Sequence, residues 1–139
     1  LHYKYDICSN LESMELEDNI KVESAEMVHS IKCFSYRFNS ENFSIMIATD
    51  TLPNQNTIKL AMNCDVLIHE CTFLNDNLEL SRKTFHTTLK EAFQIAEQAN
   101  VKRLILSHFN VKINKKSIDK IYYNNQRCVV YNDRINIYG

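Results

Sequence analysis

Several side chains able to bind a metal ion or transfer a proton follow directly on apolar stretches of this 139-residue chain. Asp50, Glu70 and His108 each close a short apolar run, which is the pattern of a buried strand. His29 ends another predicted strand, and His86 stands just before a predicted helix. Open α/β sheets place their chemistry at the carboxyl ends of parallel strands. Imidazole and carboxylate groups gathered there suit zinc or another transition metal, so we predict a metal site.

Each of these residues also has an ordinary structural interpretation. A single histidine is more often a surface or structural residue than a ligand, and for His108 the alternative is a hydrogen-bonded loop histidine. Asp50 alone is as compatible with a helix N-cap or an Asx-turn as with metal binding. The prediction of a metal site therefore depends on the whole set of residues.

The elements that would position this set fall into two parts. The first part alternates between apolar and polar residues, which predicts an antiparallel region with strands over 1–8, 20–28, 31–38 and 43–49 and a polar loop over 9–19. The second part alternates strands with helices, which predicts parallel crossover connections. Its predicted strands are 66–69, 101–106, 128–131 and 135–138, its helices are 56–62, 89–99 and 115–123, and 72–84 is a polar loop or irregular helix. Thr88 and Glu91 have the spacing of a capping box at the start of one helix.

Composition limits the class of protein but does not identify it. A net charge of −1 gives no basic footprint for nucleic acid, although a local patch is still allowed. The five cysteines contain no CxxC pair, so we expect free, mostly buried thiols in a reducing compartment. No signal peptide and no apolar run near 18 residues is evident, which predicts a cytoplasmic protein without a membrane span. Gly occurs once, and we expect the abundant Asn residues to take left-handed turn positions in its place.

Five segments, in order, resemble motifs of the metallo-β-lactamase superfamily, and the branch they resemble most is ribonuclease Z, the endonuclease that trims the 3′ end of precursor tRNA. The family has a His-Glu-Ala-Thr and a His-Ser-Thr motif, and this chain carries His-Glu-Cys-Thr and His-Thr-Thr. The segments are His29-Ser30, Ala48-Thr49-Asp50-Thr51, His69-Glu70-Cys71-Thr72, His86-Thr87-Thr88 and Ser107-His108-Phe109. The resemblance implies the α/β fold of that superfamily, an αββα sandwich in which a mixed sheet is flanked by helices.

The resemblance also implies roles for individual residues. His29 would be a ligand of a first zinc ion, His108 a ligand of a second, and Asp50 the carboxylate that bridges them. His86, oriented by Glu70, would be the pair that donates a proton to the leaving 3′ oxygen. His69 is expected to be structural. Thr51 and Ser107 are expected to give supporting hydrogen bonds to the ligands.

One part of the family pattern is missing. The superfamily's His-x-His-x-Asp-His motif supplies most of the metal ligands, and no His-x-His pair occurs in the 139 residues. The basic arm that grips tRNA in the family is not recognisable either. We therefore interpret residues 1–139 as a single partial domain, the C-terminal half of the sandwich. We expect this chain alone to bind zinc weakly, if at all, and not to hydrolyse phosphodiesters.

Two functions follow from this interpretation. The first is a zinc-dependent hydrolase of the ribonuclease Z type, acting on precursor tRNA when an N-terminal half or a second copy completes it; a homodimer or a half-domain partner would cover the inner sheet face. Within the same superfamily, another phosphodiesterase is the alternative substrate class. The second function is a non-catalytic binding or scaffold protein that keeps the fold without the chemistry.

Overall fold

A computed structural model describes residues 13–74 and 77–129 of the chain. The strands predicted over 1–8 and 135–138, and part of the one predicted over 128–131, lie outside these residues. The described strands are β1 (Ser13–Glu15), β2 (Lys21–Glu26), β3 (Phe34–Asn39), β4 (Ser44–Ala48), β5 (Val66–Glu70), β6 (Arg103–Ser107), β7 (Tyr122–Tyr123) and β8 (Gln126–Arg127). The helices are α1 (Gln55–Ala61), α2 (Leu78–Thr84), α3 (Leu89–Gln98) and α4 (Lys115–Ile118).

Six strands form one mixed sheet in the order β1-β2-β3-β4-β5-β6. Strands β1 to β4 are antiparallel neighbours, whereas β4, β5 and β6 are parallel. This arrangement confirms the predicted antiparallel region followed by parallel crossovers. Helix α1 connects β4 to β5, and α2 with α3 connects β5 to β6, so the ends of β4, β5 and β6 meet at the same sheet edge.

Two local predictions were wrong, and a third left two alternatives open. The polar stretch 9–19 contains the short strand β1, because Ser13–Glu15 can pair with the edge of β2. The helix predicted over 115–123 ends at Ile118, and Tyr122–Tyr123 pairs with Gln126–Arg127 in a hairpin instead. The stretch 72–84, predicted as a polar loop or irregular helix, contains the regular helix α2.

The two faces of the sheet differ in how they are covered. Met46, Leu67 and Leu104 share one face and belong to a buried core that includes residues of α1 and α3. Ile47, Ile68 and Ile105 share the opposite face, where Ile47 is 37% exposed and the other two are half-buried. The chain therefore presents an apolar sheet face that its own described helices leave partly open.

Asparagine takes most of the left-handed backbone positions, as the composition predicts. Eight described non-glycine residues have positive φ, and five of them are Asn. Asn tolerates this region better than most residues because its short amide can bond locally. Two of the other three are Phe85, with φ 59°, and His108, with φ 55°. No helix among the described residues has the length and apolar character needed to cross a membrane.

Candidate metal centre

Asp50 occupies the sheet edge two residues after β4, with a side chain that is 41% exposed. Its two carboxylate oxygens face different histidines: Oδ2 lies 4.0 Å from Nε2 of His29, and Oδ1 lies 3.6 Å from Nδ1 of His108. The structure therefore brings the three residues predicted as metal ligands together around one carboxylate.

His29 is held beside Asp50 by hydrogen bonds of the preceding residue and of one nitrogen of its own ring. The preceding residue, Val28, donates from its backbone N–H to Oγ1 of Thr51 at 3.1 Å and accepts from the N–H of Leu52 at 2.8 Å. On the ring, Nδ1 contacts the carbonyl oxygen of Phe85 at 3.0 Å. A carbonyl only accepts, so Nδ1 must carry the proton, and the lone pair of Nε2 faces Asp50.

Glu70 is the buried centre of the site, with only 1% of the residue exposed. Its Oε1 accepts hydrogen bonds from Nδ1 of His86 at 2.8 Å and from the N–H of Thr51 at 2.9 Å. Its Oε2 accepts from the hydroxyl of Thr72 at 2.8 Å and from the N–H of the same residue at 3.2 Å. Four donors compensate the burial of this carboxylate, as a buried charge requires. They also occupy both oxygens, so Glu70 is arranged to position its neighbours and not to bind a metal.

His86 is fixed by its own backbone as well as by Glu70. Helix α2 ends at Phe85 in the left-handed conformation. Ser81 then holds the backbone of His86 from both sides, accepting its N–H at 2.9 Å and donating its hydroxyl to the carbonyl at 2.5 Å. The next residue, Thr87, donates its buried hydroxyl to the carbonyl of Thr51 at 2.6 Å. Two consecutive residues are therefore tied to helix α2 and to the end of β4.

The predicted capping box follows immediately and starts helix α3. The N–H and hydroxyl of Thr88 both lie within hydrogen-bond distance of the Glu91 carboxylate, and the hydroxyl of Thr88 caps the N–H of Glu91 in return. Glu91 also pairs with Arg82 of α2. Hydrogen bonding and the Arg82 charge lower the pKa of Glu91 against the opposing effect of burial. This pair holds the two helices on either side of His86 together.

His108 follows β6 directly and is the most exposed of the site residues, with 52% of its side chain accessible. Its Nδ1 lies 2.9 Å from the hydroxyl oxygen of Thr72. The backbone of Thr72 is joined to the same loop, because its carbonyl accepts the N–H of Asn110 at 3.0 Å. Non-glycine residues in left-handed conformation cost on the order of 1–3 kcal/mol and concentrate at functional sites, and this histidine is one of them.

The three imidazoles form a row with His86 in the middle. Ring centroids are 5.2 Å apart for His29 and His86, and 5.3 Å apart for His86 and His108. Two groups of ligand atoms have all their members within 4.8 Å of one another: His29 with Asp50 and His86, and Glu70 with His86 and His108. In the second group the Glu70 oxygens already accept four hydrogen bonds, so the carboxylate available to a cation is that of Asp50, in the first group. The nitrogen and oxygen donors of that group suit zinc.

Three other predictions concern the surroundings of the site. Thr51 bonds to the Val28 backbone and to Glu70, which lie beside the predicted ligands and are not ligands themselves. Ser107 does not contact a site side chain; its hydroxyl makes a 3.5 Å contact with the carbonyl of His69 on the neighbouring strand. His69 is fully buried on the core face, with Nδ1 bonded to the carbonyl of Glu70 at 2.7 Å and Nε2 without a partner. Burial lowers the pKa of His69, as expected for a structural histidine held neutral.

Two contributors to the site could not be singled out from the sequence. Thr72 was visible only as the last letter of a motif, and Ser81 lay in a stretch without clear periodicity. Cys71, between Glu70 and Thr72, is fully buried in the core, and burial raises the pKa of its thiol to about 12. A thiol of that pKa is a packing residue and not a ligand.

A mixed sheet flanked by helices, with histidines and carboxylates at the ends of its parallel strands, is the metallo-β-lactamase fold. The chain belongs to the family described as the beta-lactamase superfamily domain, which it matches over residues 10–109. This membership confirms the predicted fold and superfamily.

Several of the similar proteins are named ribonuclease Z, in agreement with the motif resemblance. The chain is 39% identical over 79 residues to ribonuclease Z of Limosilactobacillus reuteri, covering 57% of this chain and 26% of the relative. It is 46% identical over 72 residues to ribonuclease Z of Protochlamydia amoebophila, covering 52% and 23%. The crystal structure of human tRNase Z, short form, matches with a TM-score of 0.66 and 26% identity, over 71% of this chain and 39% of that one. The matched segments thus span about a quarter of the length of these curated relatives.

Proposed function

We propose that this chain carries the C-terminal part of a dinuclear zinc site of the ribonuclease Z type, which cleaves a phosphodiester at the 3′ end of precursor tRNA. The observation that carries the proposal is Asp50, whose two oxygens each face a different histidine. A carboxylate that bridges two metal ions needs this disposition. The named relatives supply the substrate class, since they are ribonucleases Z.

Each site residue has one role in the proposal. His29 and His108 are ligands on the two sides of Asp50, which serves both positions. Zinc, when bound, supplies Lewis acidity and lowers the pKa of a coordinated water. His86 presents Nε2 towards the centre because Nδ1 is bound to Glu70. From there it donates a proton to the leaving oxygen, and Glu70 stabilises the charged imidazole.

The proposal requires ligands beyond those found here. Three protein ligands shared between two metal positions leave each with about two, where zinc sites usually have three or four. We propose that a segment carrying the missing histidines completes both shells. It would pack against the sheet face of Ile47, Ile68 and Ile105, where apolar surface is still exposed. Without it, the chain binds zinc weakly and is inactive.

The test is zinc binding followed by reconstitution. We expect residues 1–139 alone to bind zinc with low affinity in equilibrium dialysis and to leave a bis-aryl phosphodiester intact. Mixing with an N-terminal half that carries His-x-His-x-Asp-His should restore zinc content and cleavage of a precursor tRNA. In the reconstituted protein, His29→Ala, Asp50→Asn and His108→Ala should each lower zinc content, whereas His86→Ala should lower only the cleavage rate.

The outcomes separate the competing functions. Zinc loss in His86→Ala would assign this residue to the ligand set with His29 and Asp50, and would contradict its role as proton donor. Cleavage of a small phosphodiester without cleavage of precursor tRNA would favour another phosphodiesterase of the superfamily. Neither zinc nor activity after mixing would refute the enzyme and leave a binding or scaffold protein.

A further inference from the structure

We propose that Thr72 is a positioning residue that fixes the tautomer of His108 and thereby makes Nε2 its metal-binding nitrogen. Only the second part of this inference, that Nε2 of His108 binds a metal, rests on the proposed function. The tautomer itself follows from the contacts of the metal-free chain.

The direction of the hydrogen bonds around Thr72 is determined by its partners. A threonine hydroxyl has one proton to donate. Oγ1 of Thr72 lies 2.8 Å from Oε2 of Glu70, which as a carboxylate oxygen can only accept. The single proton of Thr72 is therefore used there. The 2.9 Å contact between the same hydroxyl oxygen and Nδ1 of His108 then needs its proton from the imidazole. His108 carries Nδ1–H, and its lone pair is on Nε2.

The surroundings give His108 no equally good alternative. More than half of its side chain is exposed, so packing does not select one of its two tautomers. In water, a neutral imidazole side chain favours the opposite tautomer, with the proton on Nε2, which would block that nitrogen as a ligand. Oδ1 of Asp50 is 3.6 Å from Nδ1, outside hydrogen-bond distance. Thr72 is 7% exposed and is anchored to Glu70 by its N–H as well as its hydroxyl, so its oxygen is held in place.

A consequence is that one buried carboxylate orients two imidazoles on different sides. Glu70 orients His86 directly through Oε1 and His108 through Oε2 and the Thr72 hydroxyl. Hydrogen bonds of this second kind, behind a ligand, typically change metal affinity by about 10–100-fold when removed.

The tautomer can be read directly by long-range ¹H–¹⁵N correlation spectra of the histidine rings in the metal-free chain. At about pH 8.5, above the usual histidine pKa near 6.5, the rings are neutral. We expect Nδ1–H for His108 in the native chain and in Thr72→Ser, and a shift to mainly Nε2–H in Thr72→Val. His86 should keep Nδ1–H in all three proteins, because its contact to Glu70 does not involve Thr72. Unchanged His69 signals report an intact core.

Several results would overturn the inference. An Nε2–H signal for His108 in the native chain contradicts it at once, whether or not the valine variant folds. Nδ1–H persisting in Thr72→Val, and lost only in Asp50→Asn, would assign the effect to Asp50. In the reconstituted protein we expect Thr72→Val to lower zinc affinity about 10–100-fold with near-native affinity in Thr72→Ser. If His108→Ala leaves zinc affinity unchanged while the tautomer results hold, the proposed ligand set fails and the positioning by Thr72 stands.

Discussion

The backbone N–H of Thr51 donates to Oε1 of Glu70 at 2.9 Å, which ties the end of β4 to the end of β5. Because Asp50 precedes Thr51 directly, the buried carboxylate positions the candidate bridging aspartate as well as His86. The chain thus holds its site residues through main-chain donors as well as side chains. Glu70 therefore has two roles: it connects two strand ends of the sheet, and it positions side chains of the candidate site.

Replacing Glu70 by glutamine should destabilise the chain. The amide keeps one acceptor oxygen, and its NH₂ group faces donors, so at least one buried donor loses its partner. Bonds to a charged group of this kind contribute on the order of 1.5–3 kcal/mol each, and we expect a loss of that size in the free energy of unfolding. Urea denaturation followed by circular dichroism measures it.

Glu79→Gln is the matched control for this variant, since Glu79 is 89% exposed and pairs with Lys83 on the surface of α2. Its effect should stay within about 0.5 kcal/mol. Equal stability losses in the two glutamine variants would contradict the central position of Glu70.

His69 should make the stability of the chain depend on pH. Burial lowers its folded pKa below the unfolded value near 6.5. Below about pH 6.5 the unfolded chain takes up a proton that the folded chain excludes, so stability falls as the pH decreases, by up to about 1.4 kcal/mol per pH unit. Above that pH both states are neutral at this residue and its contribution is constant.

Stability curves of the native chain and of His69→Leu between pH 5 and 8 isolate this effect. The difference between the two should change only below about pH 6.5, because the other histidines are common to both proteins. Parallel curves over the whole range would rule out a neutral buried His69.

Thr87 should contribute more to stability than an exposed threonine with the same kind of bond. Its hydroxyl donates to the carbonyl of Thr51 at 2.6 Å in a fully buried position. Thr87→Val deprives a buried carbonyl of its donor, which costs about 1–3 kcal/mol. In the comparison variant Thr84→Val, the lost bond is to the carbonyl of Leu80 on an exposed part of α2, where water substitutes for it. Thermal unfolding of the two valine variants should differ clearly, with Thr87→Val melting lower.

The sheet face formed by Ile47, Ile68 and Ile105, called the isoleucine face below, should make the chain associate with itself when no other segment covers it. Ile47 is 37% exposed on that face, and exposed apolar patches favour contact with other proteins. Sedimentation velocity of residues 1–139 should detect concentration-dependent association that Ile47→Lys reduces. Met62→Lys, which changes a residue of similar exposure at the end of α1, should leave association unchanged. Association that is insensitive to Ile47→Lys would exclude this face.

The sequence was sufficient to predict strands β2 to β6 and the polar residues that follow β4, β5 and β6. Alternation and apolar runs are local signals, so the switch from antiparallel to parallel pairing could be read from the order of the elements. The capping box of Thr88 and Glu91 was likewise visible as a spacing. Asp50, Glu70 and His108 come together because parallel strands bring their carboxyl ends to one edge. His29 and His86 reach the same place from the segments that follow β2 and α2.

The connections between those residues could not be predicted in the same way. That the hydroxyl of Thr72 bridges Glu70 and His108 depends on contacts across 36 residues of sequence. Left-handed backbone at Phe85 and His108 carries no signal, because neither is the Gly or Asn that usually marks such a position. The sequence could not decide between a loop and a helix at α2 because Leu78 and Leu80 remain exposed, so its apolar residues show no core-facing period. Ser81 and the Arg82–Glu91 pair stabilise it instead.

The polar site and the isoleucine face are separate parts of the chain, and this has a consequence for exchanging protein segments between homologues. The hydrogen bonds that orient Glu70, His86 and His108 are all made within this one stretch of chain, so they would survive transfer into another protein of the family. The isoleucine face, which would pack against the rest of such a protein, would contribute apolar contacts, and these depend on shape and not on the direction of hydrogen bonds. A chimeric domain could join this stretch to the opposite half of a relative. The isoleucine face would then have to fit the surface of that half, whereas the orientation of these side chains would be kept by the transplanted segment itself.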